Sequence, residues 1–574
     1  MIAGMAKTLP RNPDVAAQFD LLADLLEIGG EDAFRVVAYR RAANRIRETA
    51  GPVAQLALEG RAKELSGIGK TIEEKIVQIV ESGEIEALAK RRATIPEGVV
   101  HFMRLPGLGP KSAAKIWREL GVTTLDELKE AATAERIRTL PGLGAKAEER
   151  ILKALEAGTA APQEVRPLLG LGLPAVLAVR DALAESPLVD KISEAGSVRR
   201  RRETFRDLDL IATSSDPAAL TDLFTRLRWV VEVAAKGETK ATVVSNDGLR
   251  FDLRVVPPES YGNLLQHFTG SKDHNVALRE RAVKQGLSVS EYSITVVETG
   301  EELKHATEEE VYERLGYQWI PPELRENAGE LEAARKGELP ELVAEGDVNG
   351  DLHLHSTWSD GKGSLEAMAL GAIARGYAYM AITDHSQRLR EGRMAAQDAE
   401  IAALNERLAP FRILHGVEVN IRADGAIDMS EEELTTRDWV MASLHTSFDK
   451  NPTERILAAM EHPYVDCIGH PTTRKINKRP PADVDIDRVI EKALETGTFL
   501  ELNGQPDRLD LRDTNARAAG EAGLRLLVSS DGHSVGALSY LDLAVAQARR
   551  AWLTKEQVLN TRTWTQLAKL RKKR

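Results

Sequence analysis

The residues with the clearest chemical potential are two aspartates that follow a glycine–serine pair and a run of arginines. The segment from Gly196 to Leu210 reads GSVRRRRETFRDLDL, which places Asp207 and Asp209 two residues apart. On a β-strand such residues project to the same face, where paired carboxylates can share Mg²⁺ ions. The Gly196-Ser197 backbone and the arginines suit a triphosphate. Taken alone, the segment fits a hairpin with two solvated aspartates equally well.

A third aspartate strengthens the metal interpretation. Residues 242–245 and 249–256 predict a hairpin around an Asn-Asp-Gly turn. Asp252 lies in the second strand between Phe251 and Leu253, where an unpaired carboxylate would be costly. A metal ion shared with the first two aspartates would explain its position.

One short pattern occurs three times upstream. A hydrophobic–x–Gly–hydrophobic–Gly turn opens a helix in LSGIGK (65–70), LPGLGPK (105–111) and LPGLGAK (140–146). Such a turn directs backbone N–H groups toward a phosphate at the helix N-terminus. One copy would be weak, since any tight helix–helix turn can use two glycines, but three copies resemble helix-hairpin-helix (HhH) motifs, which hold the DNA backbone without reading sequence. The glycines predicted to contact DNA are Gly67, Gly69, Gly107, Gly109, Gly142 and Gly144.

Lys75 lies one turn into the helix that follows the first glycine turn. This segment resembles the N-terminal domain of DNA polymerase beta, in which a matching lysine forms a Schiff base with an abasic sugar. A desolvated lysine near other cations can be nucleophilic, whereas the alternative is a surface lysine that contacts phosphate. Thr71 stands where that polymerase has another lysine, which weakens a lyase role. Residues that could face Lys75 are Arg35, Tyr39, Arg40 and Arg41.

The C-terminal half carries nine residues of metal-ligand type at the ends of apolar strands, with helical stretches between them. They are His353, His355, Asp360, His385, Glu418, His445, His470, Asp531 and His533. A single histidine of this kind would be better explained as a core or loop residue, but the series is not. It predicts a (β/α) barrel with a metal centre at the carboxyl ends of its strands. Imidazole with carboxylate suits Zn²⁺, Mn²⁺ or Fe²⁺.

Composition narrows the class of protein. The 574 residues suffice for several domains, and the single cysteine, Cys467, excludes a disulfide framework and favours a reducing cytoplasm. No run approaches the ~18 apolar residues of a membrane span. The net charge of −11 argues mildly against a general polyanion binder, although acidic metal sites can mask local basic patches.

The motifs around the three aspartates resemble family X DNA polymerases over roughly residues 10–320. KGETK (236–240) precedes Asp252, and HFTGSKDHN (267–275) follows it. The resemblance implies that Asp207 and Asp209 hold two Mg²⁺ or Mn²⁺ ions, while Asp252 completes the catalytic-metal site and accepts the primer 3′-hydroxyl proton. It assigns contacts with the incoming dNTP to Gly196, Ser197, Arg200, Phe268, Gly270 and Asn275, and a template-strand contact to Arg279.

Two residues depart from polymerase beta. Lys272 replaces an aspartate near the incoming base, and His267 replaces a tyrosine near the sugar. Both look typical of the bacterial branch of the family. They leave the core chemistry intact and sugar discrimination open.

The histidine series is similar to that of the polymerase and histidinol phosphatase (PHP) domain from residue 351 to about 570. The resemblance implies three divalent ions, because all nine family positions carry a ligand type. The implied ligand sets are His353, His355, Glu418 and Asp531 for the first ion; Glu418, His445 and His470 for the second; and Asp360, His385 and His533 for the third. A basic group is either a phosphate-binding site or a solvated loop: Arg474, Lys475, Lys478, Arg479 and Arg508.

The fold expected is multidomain, with an all-α HhH region, an α+β nucleotidyltransferase palm and thumb, and a C-terminal distorted (β/α)7 PHP barrel. Residues 150–165 look like a link between the HhH region and the palm. The expected domains are 1–90 with the first HhH, 91–160 with fingers-like HhH motifs, 161–256 as palm, 257–320 as thumb, 321–347 as linker and 348–574 as PHP domain.

The sequence therefore predicts a monomeric, cytoplasmic, non-membrane DNA polymerase that fills short gaps from dNTPs on gapped or primer–template DNA, with a 3′–5′ exonuclease or phosphoesterase for repair. One alternative is a 3′-end-processing phosphatase or abasic-site endonuclease whose polymerase half only clamps DNA. A second is a non-catalytic scaffold for repair proteins. The three aspartates and the full ligand series argue against the scaffold.

Overall fold

The computed structural model describes residues 9–10, 12–48, 53–65, 67–105, 107–156, 165–390 and 392–572. Ser66 and Pro106 of the predicted glycine turns, and residues 157–164 of the predicted link at 150–165, lie outside them. The chain divides into two compact units. The first unit consists of Met1–Val165, Asp222–Gly237 and Ala241–Phe251, and the second of Arg166–Thr221, Glu238–Lys240 and Asp252–Arg574.

The N-terminal part of the first unit is helical, as predicted. Its helices are α1 (Asn12–Gly29), α2 (Ala33–Glu48), α3 (Val53–Leu58), α4 (Lys70–Ser82), α5 (Glu86–Arg92), α6 (Pro110–Leu120), α7 (Leu125–Thr133) and α8 (Ala145–Glu156). Phe19 and Phe102 are fully buried in one apolar core that these helices share. The periodic apolar residues of α1, including Leu22 and Leu25, face this core.

The palm follows in chain order. Its elements are α9 (Leu169–Ala184), β1 (Lys191–Glu194), α10 (Gly196–Arg199), β2 (Leu208–Thr213), α11 (Pro217–Thr225), β3 (Val230–Lys236), β4 (Lys240–Ser245) and β5 (Arg250–Val256). In the second unit the strands follow the order β1-β2-β5, and β1 pairs antiparallel with β2. In the first unit β3 pairs antiparallel with β4. The predicted turn between β4 and β5 is present, and Gly248 adopts φ +79° there.

The thumb and the segment after it belong to the second unit. Their elements are α12 (Tyr261–Thr269), α13 (Lys272–Val283), β6 (Leu287–Val289), β7 (Ile294–Val296), β8 (Glu302–Leu303), α14 (Glu308–Arg314) and α15 (Glu330–Lys336). The three strands form a small antiparallel sheet. Segment 321–347, predicted to be a linker with a short helix, contains α15 and buries Arg325 and Glu330.

The C-terminal part is an alternation of strands and helices. The strands are β9 (Gly350–Leu354), β10 (Tyr379–Ile382), β11 (Arg412–Asn420), β12 (Trp439–Ser443), β13 (Cys467–Gly469), β14 (Phe499–Asn503) and β15 (Leu526–Ser529). The helices are α16 (Leu365–Ala374), α17 (Arg393–Leu408), α18 (Glu431–Thr435), α19 (Pro452–Glu461), α20 (Ile486–Thr496), α21 (Asp513–Glu521), α22 (Tyr540–Arg550) and α23 (Trp564–Ala568).

These seven strands form one parallel sheet in chain order from β9 to β15. Their residues are almost all buried, as expected for parallel strands covered on both faces. Beyond β15, Gly532 forms a parallel bridge with Leu354 at the end of β9, so the sheet nearly closes. This confirms the predicted seven-stranded barrel and brings the carboxyl ends of its strands to one face.

Candidate active sites

The three predicted polymerase aspartates lie close together. The strand β2 begins at Leu208, so Asp207 immediately precedes it and Asp209 lies within it, while Asp252 lies in β5. Burial, and then the charges of Asp252 and Asp207, raise the pKa of Asp209 to about 7. Three carboxylates that repel one another in this way are a donor set that suits divalent cations.

Gly196 directly adjoins this carboxylate group. Its backbone has φ +65°, and an added Cβ would lie 2.1 Å from Asp209 Oδ2. A side chain here would collide with the aspartate in a strained backbone conformation, so glycine is required on both counts. Ser197 follows in the short helix α10, half-buried, beside the same strand.

Arg200 connects the palm turn to the thumb. Its Nη1 donates to the carbonyl oxygen of Thr269 at 2.5 Å, and its Nε donates to Glu326 at 3.0 Å. Thr269 ends α12 and is followed by Gly270, which has φ +68°. Burial lowers the pKa of Arg200. The predicted triphosphate-binding arginine therefore contacts the Phe-Thr-Gly segment predicted to bind the sugar and base.

The other predicted nucleotide residues surround the end of α12. The guanidinium of Arg254 lies 4.2 Å from the centre of the Phe268 ring. Asn275 Nδ2 donates to the carbonyl oxygen of His267 at 2.7 Å. Arg279 Nη2 lies 3.0 Å from His267 Nδ1, and burial followed by the charge of Arg279 lowers the pKa of that imidazole. A neutral His267 ring can accept this hydrogen bond, which links it to the predicted template-strand residue.

Glu308 holds the palm and thumb together, and the sequence analysis did not identify it. It is 4% exposed and pairs with Arg199 at 2.7 Å and with the fully buried Arg325 at 2.6 Å. Burial opposes its ionisation, but Arg325 and Arg199 outweigh burial and lower the pKa of Glu308 to about 2. The sequence around Glu308 gives no sign of this role, because Arg199 lies 109 residues away and Arg325 lies 17 residues away.

Glu308→Gln should lower stability at pH 7 by about 3 kcal/mol, since it leaves Arg325 buried without its counter-charge. The folded pKa of about 2 lies below the ordinary value of 4.5. The stabilisation is therefore fully present above about pH 4.5 and disappears as pH falls toward 2. Urea unfolding of wild type and variant at several pH values measures this. The exposed neighbour Glu309 provides the control Glu309→Gln, and equal losses in both variants would contradict the prediction.

The three glycine turns have the same local geometry. Gly67, Gly107 and Gly142 adopt φ values of +86°, +82° and +87°. The N–H groups of Ile68, Leu108 and Leu143 bond the carbonyl oxygens three residues earlier at 3.0, 3.1 and 3.0 Å. The second glycines, Gly69, Gly109 and Gly144, immediately precede α4, α6 and α8. Repeated geometry, with helices opening at the second glycine, is what phosphate-backbone binding requires.

Lys75 lies on α4 and is half-buried. Of the residues proposed to face it, Arg40 pairs with Asp24 at 2.9 Å and with Glu27 at 2.5 Å. Tyr39 packs against Phe19 with ring centres 6.1 Å apart. Both are occupied by contacts within α1 and α2, and the lyase role of Lys75 stays a prediction.

The nine predicted PHP ligands converge at the carboxyl ends of six barrel strands. Some lie within a strand, as His353 does in β9 and Glu418 in β11, and the others in the loops that follow. Three groups have possible ligand atoms within 4.8 Å of one another. These groups are His355, Asp360, His385 and His533; His353, His355 and Glu418; and His385, Glu418 and His445. They overlap the predicted sets but share His355 and His385 between groups.

Glu418 is the centre of this cluster. Its two oxygens face different histidines. From Oε1 the ring nitrogens lie at 3.5 Å (His353), 3.3 Å (His445) and 3.3 Å (His470), and from Oε2 at 3.7 Å (His355) and 2.9 Å (His385). Asp531 lies 3.3 Å from His355 and 3.8 Å from His353.

Unpartnered buried atoms test whether metal ions fit this cluster. Among the described residues, no hydrogen-bond partner exists for His353 Nε2, His355 Nδ1 and Nε2, Glu418 Oε1 or His470 Nδ1. An unpaired buried polar atom costs ~1–3 kcal/mol. Divalent metals coordinated by these atoms would remove that cost, and imidazole with carboxylate suits them. The residues present therefore fit divalent metals.

The pKa shifts of the cluster residues also favour bound cations. Burial opposes ionisation of Glu418, but the charges of His445 and His353 hold its pKa well below the ordinary range. Burial lowers the pKa of His385, and hydrogen bonds to Asp360 and Glu418 overcome this and raise it to about 10. The carboxylates thus stabilise positive charge in the pocket, which bound cations would supply in place of protons.

Glu501 orients two of these histidines and was missed by the sequence analysis. It is fully buried in β14, and its Oε1 lies 2.5 Å from His353 Nδ1. Its Oε2 accepts the backbone N–H of His470 at 2.5 Å. Ser529 and Asn503 also donate to it. By occupying Nδ1 of His353, Glu501 leaves Nε2 for a metal.

Glu501→Gln should weaken metal binding about 10- to 100-fold, because the amide no longer fixes the tautomer of His353. Competition with a chelator, followed by metal analysis of the protein, measures this directly. Glu495→Gln, at an exposed position on α20, is the control. Unchanged metal retention in Glu501→Gln would rule out this positioning role.

The basic group near the metal cluster is partly buried. Arg508 Nε lies 3.8 Å from Asp531 Oδ2, and Lys475 pairs with Asp507 at 2.7 Å. Burial, and then the charge of Arg508, lower the pKa values of Lys475 and Arg479. Crowded cations of this kind favour an anion such as a phosphate ester.

A glycine turn beside three clustered carboxylates, together with a barrel that carries a histidine–carboxylate cluster, defines the class of a nucleotidyltransferase fused to a metal-dependent phosphoesterase. Family models agree. The DNA polymerase beta thumb model matches residues 264–326, a helix-hairpin-helix domain 10–85, a SAM-like helix-hairpin-helix tandem 99–157 and the PHP domain 351–518.

Relatives match nearly the full length of the chain or one of its parts. The "DNA polymerase/3'-5' exonuclease PolX" of Bacillus subtilis is 38% identical over 561 residues, which is 96% of this chain and 97% of that protein. A "probable phosphatase" of Caldanaerobacter subterraneus is 32% identical over 226 residues, 37% of this chain and 86% of that protein. "DNA polymerase lambda" of Rattus norvegicus is 24% identical over 347 residues, 55% of this chain and 56% of that protein. The chain belongs to the family X DNA polymerases that carry a C-terminal PHP domain.

Proposed function

We propose that the chain is a template-directed DNA polymerase that fills short gaps during repair and carries a 3′–5′ exonuclease or phosphoesterase in its PHP barrel. The main support for the polymerase activity is the mutual repulsion of three carboxylates around Asp209. The hydrolytic half rests on the unpartnered ligand atoms around Glu418. The names of the relatives support both activities.

In the polymerase site, the residues act by holding charge and position. Asp207, Asp209 and Asp252 would hold Mg²⁺ or Mn²⁺, and an oxygen of Asp252 would accept the primer 3′-hydroxyl proton. Gly196 and Ser197 would hold the triphosphate. When bound, divalent ions would neutralise charge on the reacting phosphate oxygens at both sites and activate water in the barrel. Arg200 must exchange Glu326 for the triphosphate to make its contact.

The thumb residues would select the nucleotide. Phe268 and Gly270 would lie by the sugar and base, Asn275 at the base, and Arg279 at the template strand. The hydrogen bonds that tie Asn275 and Arg279 to His267 support a shared role for these residues. The six glycines of the HhH turns would hold the DNA backbone, and Lys75 would act on abasic sugars if lyase activity is present.

In the barrel, the nine ligand residues would hold three divalent ions, of which Zn²⁺, Mn²⁺ and Fe²⁺ all suit the donors. Arg508 and Lys475 would bind the phosphate of a 3′-terminal nucleotide. The domain limits given above, dNTP as substrate and a monomeric state belong to the same proposal. No helix within the described ranges is long and apolar enough to cross a membrane.

The deciding experiment uses labelled gapped DNA with dNTPs and Mg²⁺ or Mn²⁺. Lengthening and shortening of the same strand are scored for wild type, Asp209→Ala and His355→Ala. Asp209→Ala should lose lengthening and keep shortening, and His355→Ala should do the reverse, because each residue lies in a different metal-binding group.

The outcome separates this proposal from its rival. A 3′-end-processing phosphatase whose polymerase half only clamps DNA would shorten the strand and never lengthen it, in any variant. Loss of both activities in both variants would refute two independent sites.

A further inference from the structure

Helix α22 of the PHP barrel contacts the backbone of the polymerase turn that follows Gly196 and Ser197. Gln547 Nε2 donates to the carbonyl oxygen of Arg201 at 3.2 Å. Arg550 Nη1 donates to the carbonyl oxygen of Arg200 at 2.8 Å. The two donors are three residues apart, so they share one face of the helix. Two consecutive palm carbonyl groups are thus held by one PHP element.

The turn that they hold is strained. Arg201 has φ +58°, a conformation that residues with a side chain rarely adopt. Such conformations persist where the surroundings determine them, and they are common next to active sites. Gln547 is 1% exposed, so its hydrogen bond to Arg201 is shielded from water. The PHP domain therefore supplies part of what keeps this turn in place.

Arg550 also fixes the partner of Arg200. It is 6% exposed and pairs with Asp513 of the PHP domain at 2.5 Å. The same guanidinium lies 3.1 Å from Glu326 Oε1, the atom that also accepts from Arg200 Nε at 3.0 Å. Because Arg550 keeps Glu326 paired, Arg200 can leave Glu326 for a triphosphate without leaving that carboxylate unpaired.

We propose that Gln547 and Arg550 are positioning residues of the polymerase site: they hold the Arg200–Arg201 turn in the conformation that binds the triphosphate of the incoming dNTP. The PHP domain thereby contributes to DNA synthesis through α22, independently of its metal cluster. This inference rests on the proposed polymerase function.

Steady-state primer extension by the full chain tests this role, with KM for dNTP and kcat measured separately. Gln547→Leu removes one hydrogen bond and should raise KM about threefold to tenfold. Arg550→Lys keeps the charge, but a lysine cannot contact the Arg200 carbonyl oxygen, Glu326 and Asp513 at the same time. This variant should raise KM at least as much. Because positioning acts on substrate binding, kcat should change less than KM. PHP hydrolysis within twofold of wild type shows that the barrel is folded.

A matched control and a rescue separate positioning from general destabilisation. Gln557 donates to the carbonyl oxygen of Gly520 at 3.1 Å and accepts the backbone N–H of Thr554 at 3.0 Å, both inside the PHP domain. Gln557→Leu therefore removes at least as many hydrogen bonds away from the palm and should leave KM unchanged. Arg201→Gly accepts a positive φ without strain. In that background Gln547→Leu should raise KM by less than twofold.

The possible results are distinct. If Gln547→Leu and Arg550→Lys change KM no more than Gln557→Leu does, the positioning role is overturned. The positioning role is also overturned if Gln547→Leu raises KM equally in the wild-type chain and in the Arg201→Gly background. If the wild-type chain fails to extend primers, the proposed function falls, and this inference falls with it.

Discussion

Glu418→Gln should reduce 3′–5′ hydrolysis by at least ~10³-fold and leave primer extension within twofold. Glu418 is 1% exposed, and both of its oxygens face histidines of the metal cluster. The amide carries no charge, so the variant removes the one negative group common to all the surrounding imidazoles. Metal content per chain should fall together with hydrolytic activity, because loss of a ligand weakens metal binding and hydrolysis depends on the bound metal.

Metal analysis of the purified protein and release of the 3′-terminal nucleotide are the two measurements. Glu432→Gln at an exposed position on α18 is the control, and it should retain both metal and activity. Full hydrolysis by Glu418→Gln at normal metal content would show that the barrel cluster is not the hydrolytic site.

Asp252→Asn should lower primer extension by at least ~10³-fold, while hydrolysis by the barrel stays within twofold of wild type. The substitution removes one of the three carboxylates that gather around Asp209 and also removes the proposed acceptor of the 3′-hydroxyl proton. It should lower the pKa of Asp209, because the charge of Asp252 is its largest electrostatic cause after burial. The loss should appear in kcat rather than in DNA binding.

Single-nucleotide extension on gapped DNA measures this loss, and gel shift in the absence of dNTP measures DNA binding. The exposed Asp222, which pairs with Lys236, supplies the control Asp222→Asn. Extension that survives in Asp252→Asn would remove this residue from the catalytic group.

Local patterns predicted most of the fold because the motifs depend on neighbours in sequence. The glycine turns at Gly67, Gly107 and Gly142 need only a positive φ and a helix that follows. A motif of about six residues predicts both. The barrel was predictable because short apolar runs recur along the C-terminal half and most of them carry a ligand type within or just after the run. Asp252 was predictable because a carboxylate in the middle of an apolar strand requires a partner.

Residues that act across long sequence separations were not predictable from such patterns. Glu308 meets Arg199 more than a hundred positions away, and Gln547 meets Arg201 over an even longer separation. Glu501 is a partial exception. It lies between Leu500 and Leu502 in an apolar strand, the same signal that identified Asp252, and its side chain contacts His353.

The two oxygens of Glu418 have a consequence for how the protein takes up its ions. One oxygen faces His445 and His470, and the other faces His385. A single negative charge would therefore be shared by neighbouring metal positions. An ion held by one oxygen of Glu418 would reduce the negative charge that the other oxygen offers to a second ion. Uptake should therefore be anticooperative, with successively weaker steps. Protein purified under limiting metal would then be a mixture of partly loaded chains, and hydrolytic activity would follow the weakest step.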